Sequence, residues 1–212
     1  MVTTTQRRSR PRGESRRCEI LDAALQVFLE SGYNGATIDL VVAKANASKA
    51  TIYNHFGGKD GLFSTIVKER TEHILSCIFV QDISDMDVPT ALSQIARQLL
   101  TATMTPDALG IYRLILSEGV RFPELAQTFY RIGPEQITAH LARILVGWRE
   151  RGLIVVDDPE CTASQFLTIV LGEMHLRAVA GLLPADLEAA IDRNVCNAVE
   201  LFWRGIRRED RL

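Results

Sequence analysis

The four cysteines of this 212-residue chain, Cys18, Cys77, Cys161 and Cys196, are far apart. There is no C-x-x-C pair and no Cys/His cluster with ligand spacing, which excludes a zinc finger and a dithiol redox motif. They read as reduced thiols of a cytosolic protein. The sharper alternative, a redox-sensing thiol, would fall on Cys18 beside Arg16 and Arg17. The sequence also lacks an H-E-x-x-H pair, a phosphate-cradling glycine loop and a nucleophile elbow, so no metal, cofactor or enzymatic activity is expected. His73, His140 and His175 are scattered, and Glu173 and His175, two apart, face different ways on a helix. No apolar run approaches the ~20 residues of a membrane span. The basic N-terminus is not followed by the apolar stretch of a signal peptide, so the expected location is cytoplasmic, without membrane contact.

Lysine is absent beyond Lys68; all four (Lys44, Lys49, Lys59, Lys68) fall in the first third. The net charge of -2 excludes a uniformly basic nucleic-acid coat but hides an asymmetry. Residues 1–70 hold 11 Lys/Arg and 7 Asp/Glu, a balance of +4, and residues 71–212 hold 13 and 19, a balance of -6. Phosphate binding needs cations gathered on one surface, and the first third supplies them.

Hydrophobic periodicity is helical throughout. Residues 1–14 show none and read as a flexible Arg-rich arm. A first helix starts at Ser15, with Leu21, Ala24, Leu25 and Phe28 on one face, and stops at Ser31-Gly32. Thr37 caps a second, two-turn helix carrying Ile38, Val41, Val42 and Ala45 inward. Asn46 tolerates positive φ, and Ser48 caps a third helix from Lys49 to about Phe56. Gly57-Gly58 then breaks the chain before a long helix from Lys59 to Ile78. Two short helices joined at Ala45-Asn46-Ala47 behind a supporting helix make a helix-turn-helix. The later helices are expected over 89–103, 106–118, 123–151 with a kink or break at Gly133-Pro134, 160–180 and 185–207. The fold class is all-α, about nine helices in total. It divides into the arm 1–14, a helix-turn-helix domain 15–62 and a larger helical domain 63–212.

The stretch Thr37-Ile38-Asp39-Leu40-Val41-Val42-Ala43-Lys44-Ala45-Asn46-Ala47-Ser48-Lys49-Ala50-Thr51-Ile52-Tyr53-Asn54-His55-Phe56 resembles the DNA-binding signature of the TetR/AcrR family of bacterial transcriptional regulators. The S-K-x-T-[LI]-Y-x-H-F core is specific, and Phe28, Gly32-Tyr33 and Lys59-Asp60-x-Leu62 sit where that family has equivalents. The resemblance is strong over residues 15–65 and weaker beyond. Three positions depart from the usual pattern: Asn46 for Gly, Val42 for a small Ala, and Gly57-Gly58 for a stiffer, capping pair. None removes a phosphate-contacting group.

Ile52 and Phe56, four apart, face the small core and leave Lys49, Ala50, Tyr53 and Asn54 outside. Asn54 can pair with adenine and the Ala50 methyl can meet a thymine methyl in the major groove. Thr37, Ser48, Thr51, Tyr53, His55 and Lys59 are the candidates for phosphate, which fixes register rather than sequence, the Tyr53 and His55 contacts being what the resemblance implies; Lys44 is a further DNA-binding candidate. The arm would either reach the adjacent minor groove or add only nonspecific attraction.

The resemblance implies that the acidic C-terminal domain binds an effector and dimerises. Ala163, Gly172, Ala180, Ala190 and Ala198 are small residues suited to close helix packing between two subunits. A pocket between the helices would draw on Phe79, Ile95, Leu99, Tyr112, Leu116, Phe122, Phe129, Tyr130, Phe166, Met174 and His175, a lining suited to a hydrophobic or aromatic small molecule. The expected partners are therefore double-stranded DNA with a palindromic operator, a second copy of the chain and a small effector. The expected function is a homodimeric repressor released by that effector. A regulator of the same fold that acts without a ligand or as an activator is the alternative. An all-helical enzyme lacks any site motif, and a sequence-blind DNA binder is opposed by the acidic body.

Overall fold

The computed structural model describes residues 12–79 and 86–207. The described residues form ten α-helices and no strand, apart from a single antiparallel bridge between Ile154 and Arg207. The chain makes two compact units, residues 1–66 and 67–212. The arm of residues 1–11 and most of the acidic 82–88 segment fall outside the described residues.

The first unit holds α1 (Arg12–Gly35), α2 (Ile38–Ala45), α3 (Lys49–Phe56) and the start of α4 (Lys59–Phe79). α1 begins before Ser15 and runs past the expected stop; Gly32 (φ 70, ψ 169) kinks it instead of ending it. The Thr37 hydroxyl accepts from the Leu40 N–H and caps α2. Asn46 takes φ 50, ψ 42, the left-handed conformation that ends α2. Ser48 then accepts from the Thr51 N–H at 3.0 Å and opens α3. A helix of eight residues has too few internal bonds to stand alone. Ile52 and Phe56 anchor α3 by burial, beside Val41 and Ala45 of α2. Phe28, Tyr33 and Phe63 form an aromatic cluster with ring centroids 5.7–5.9 Å apart. The Tyr33 hydroxyl donates to Asp60, so this cluster fixes the end of α1 to the start of α4.

The second unit continues α4 and adds α5 (Val88–Thr103), α6 (Pro106–Glu118), α7 (Pro123–Ile132), α8 (Pro134–Glu150), α9 (Pro159–Val179) and α10 (Leu187–Ile206). The expected break at Gly133-Pro134 is complete and separates α7 from α8. Proline opens five of these helices within the first two positions after an N-cap, where its missing N–H costs nothing. α5 buries Val88, Ala91, Leu92, Ile95, Ala96, Leu99 and Leu100. That three-and-four spacing covers one face, against α9 and α10. α8 lies along α9 with Ile137, Leu141, Leu145 and Trp148 turned inward. Ile154 and Val156, between α8 and α9, are buried in this core.

Candidate functional site

In the first unit, α3 carries its polar side chains on one outer face. Lys49, Ala50, Tyr53, Asn54 and His55 are exposed, whereas Ile52 and Phe56 are buried. Tyr53 is a large ring left 54% exposed on an otherwise well-packed unit. Eight residues at 1.5 Å rise make a rod about 12 Å long, the scale of a DNA major groove. Thr37 and Ser48, at the starts of α2 and α3, are exposed and flank this face. Thr51 is half-buried, its hydroxyl 2.8 Å from the Ser48 hydroxyl.

The lysines are differently placed. Lys49 Nζ lies 2.7 Å from Asp39, and that hydrogen-bonded carboxylate raises the lysine pKa above its ordinary value. Lys44 Nζ lies 2.6 Å from Glu30. Lys59 donates from Nζ to the Tyr33 carbonyl at 2.9 Å and sits 4.5 Å from the centre of the Tyr33 ring. Sequence reasoning placed these lysines at the DNA-binding surface but missed Glu30 as the partner of Lys44 and Asp39 as that of Lys49. An exposed acid close to a cation in three dimensions leaves no sequence signal at spacings of 10 and 14 residues.

The second unit holds a cavity of about 970 Å³ that is open to solvent on one side. Of the residues expected there, Leu99, Tyr112, Leu116, Phe129, Tyr130 and His175 line it. Ile95 and Phe166 do not: both are fully buried in the core, where the Phe166 ring packs 4.7 Å from the Phe202 ring. Met174 packs against the same core, and Phe122 is the residue preceding α7. Phe79 ends α4, and its side chain lies outside the described residues. The walls also use Val67, Thr71 and Ile74 of α4 and much of α7, which sequence reasoning did not select. The Tyr112 ring meets the His175 ring edge-on at 4.7 Å and the Phe129 ring at 6.1 Å. Burial pushes the His175 imidazole pKa below its ordinary 6.5.

The small residues of α9 and α10 divide. Ala163 and Ala198 are buried in the chain's own core, so they cannot also form an exposed contact surface; this corrects the expectation for those two. Gly172 serves the chain path, since its φ of 32 and ψ of -135 kink α9. Ala180 is exposed and Ala190 half-buried. Among the described residues no group of His, Cys, Asp and Glu is arranged to hold a metal, and no helix is long and apolar enough to cross a membrane.

Residues 20–66 match the family described as bacterial regulatory proteins, tetR family, and residues 90–205 match the AefR-like transcriptional repressor, C-terminal domain. The chain is 40% identical to the HTH-type transcriptional repressor AcnR of Corynebacterium efficiens over 83% of its own length and 88% of that protein. It is 22% identical to the HTH-type transcriptional regulator SrpR of Pseudomonas putida, over 97% and 92% of the two chains. Among solved structures it resembles a TetR-family transcriptional regulator from Mesorhizobium loti (28% identity, TM-score 0.80). It also resembles the Flavonoid-responsive Regulator FrrA (32% identity, TM-score 0.78). Each superposition covers 94% of this chain and 100% of the other.

Proposed function

The chain belongs to the TetR family of bacterial transcriptional regulators, and on that premise we propose that it is a homodimeric repressor released from a palindromic operator by a small hydrophobic or aromatic effector. The chain is a DNA-binding regulator and not an enzyme. In the proposal, α3 enters the major groove with Ala50 and Asn54 toward the bases. Thr37, Lys44, Ser48, Lys49, Thr51, Tyr53, His55 and Lys59 hold phosphates.

One recognition helix reads too few base pairs to select a site, whereas a twofold pair reads two half-sites. The exposed leucines of α9 and α10, Leu176 and Leu201, with Ala180 and Ala190, are the surface offered to the second copy. The observation that carries effector control is the 970 Å³ cavity with aromatic walls inside residues 67–212. Its volume is at the top of the range that small-molecule sites occupy. FrrA, described as flavonoid-responsive, supports an aromatic effector. Such a ligand releases DNA only if it binds the low-affinity conformer better than the DNA-binding one.

Selection of bound duplexes from a random library, at near-physiological salt and without added ligand, tests the reading. Recovery of one palindrome with half-sites a whole number of helical turns apart is the expected result. Equal recovery of all sequences from a monomeric protein would overturn it.

A further inference from the structure

Two buried polar side chains occur among the described residues, Thr71 at 6% and His175 at 9% exposure. Both line the cavity. Neither shows a hydrogen-bond partner within the described residues, and since no sealed side-chain N or O atom there lacks one, their polar atoms are accessible from the cavity. A helical threonine commonly returns its hydroxyl to the carbonyl four residues earlier, as Thr65, Thr103 and Thr168 do here. Thr71 does not.

None of the acidic or arginine side chains that line the cavity is buried. Arg70 is already bonded to Asp107 at 2.7 Å, and Glu124, Arg131 and Glu135 are exposed side chains at the rim. His175 is neutral near pH 7, because burial disfavours its cation. An ionised ligand would lose its hydration without compensation.

A threonine hydroxyl and a neutral imidazole each both donate and accept a hydrogen bond. A ligand hydroxyl does the same, so it reciprocates either group; a carbonyl can only accept. The size of the cavity calls for a scaffold of several rings around that group. We propose that the cavity takes an uncharged polycyclic ligand bearing a hydroxyl group, selected by hydrogen bonds to Thr71 and His175. This rests on the reading of the cavity as the effector site and adds the chemistry of what it accepts.

The test is fluorescence titration of the full chain at pH 7.5 with three molecules sharing one scaffold: 1-hydroxypyrene, pyrene and 1-pyrenecarboxylate. The hydroxylated compound is expected to bind roughly tenfold tighter than pyrene, the gain of a well-made buried hydrogen bond, and tighter than the carboxylate. In the double variant Thr71→Val, His175→Leu the preference should fall to near unity. Retained pyrene binding would show that the cavity is intact, and Thr71→Ser alone should keep the preference. Equal binding of 1-hydroxypyrene and pyrene, or tightest binding of the carboxylate, would overturn the hydroxyl selection and leave the effector site standing. Binding of none of the three would overturn both.

Discussion

Gly61 sits in the first turn of α4, where alanine is normally the better residue by about 1 kcal/mol. The structure reverses that expectation. A Cβ at Gly61 would lie 1.5 Å from the Phe56 carbonyl oxygen and 2.7 Å from its carbon. Ordinary contact begins near 3.4 Å, so the backbone at the end of α3 would have to retreat by almost 2 Å. Phe56 is one of the two buried anchors of the recognition helix and cannot move alone. Overpacking costs about 1–3 kcal/mol, and a clash with backbone belongs at the upper end. Less the gain in helix propensity, Gly61→Ala should destabilise the first unit by about 2 kcal/mol. For a unit of this size that lowers Tm by roughly 10 °C, and operator affinity should fall with it. Gly147 is the internal control: it lies within α8, and a Cβ there meets nothing within 4 Å. Gly147→Ala should therefore stabilise by about 0.5–1 kcal/mol. Thermal melts of both variants decide the matter; a Gly61→Ala protein as stable as the parent would refute the close-approach argument.

Tyr53→Ala should weaken operator binding by about tenfold or more without changing the dimer mass in light scattering; unchanged affinity would remove Tyr53 from the interface. Asn54→Ala should cost about 1–3 kcal/mol at one base position in each half-site, and a uniform loss across all sequences would mark a phosphate contact instead. Lys49→Ala removes one proposed phosphate contact, so the log–log salt dependence of duplex binding should flatten by about 0.9 per protomer; an unaltered slope would mean that Lys49 stays off the DNA. For His175 the folded pKa lies below the ordinary 6.5, so the unfolded chain binds more protons as pH falls through that interval. Stability is therefore lost between about pH 7 and the folded value. Urea midpoints at pH 7.5 and 5.5 should differ less in His175→Leu than in the parent.

What the sequence made legible was local. The caps at Thr37 and Ser48, the left-handed Asn46 and the break at Gly133 follow from side-chain chemistry within a few residues. The inward anchors Ile52 and Phe56 follow from spacing alone. Which neighbour a helical face meets was not legible in the same way. Ile95 and Leu99 share one stripe of α5, yet Ile95 packs in the core and Leu99 reaches the cavity. Ala163 and Ala198 satisfy the small-residue pattern of a close helix contact, and the contact they make is within the chain. Thr71 was findable: it interrupts the apolar series Val67, Ile74, Ile78 at a position four after the first. A hydroxyl in a buried stripe asks what it is bonded to.

The acids beside Lys44 and Lys49 bear on how the proposed repressor would be released. Attraction to phosphate raises affinity for every duplex alike, so it adds nothing to discrimination between operator and bulk DNA. It does raise the affinity that an effector must overcome. Coupling between two sites is bounded, commonly 5–150-fold. A protein that bound its operator far more tightly than that factor could offset would stay bound with its effector in place. Glu30 and Asp39 hold Lys44 and Lys49, two of the three lysines of this surface, at 2.6 and 2.7 Å in the free protein, and DNA must compete for them. In the proposed complex base discrimination is left with Ala50 and Asn54, which carry no charge, while total affinity would stay where a modest coupling can reverse it.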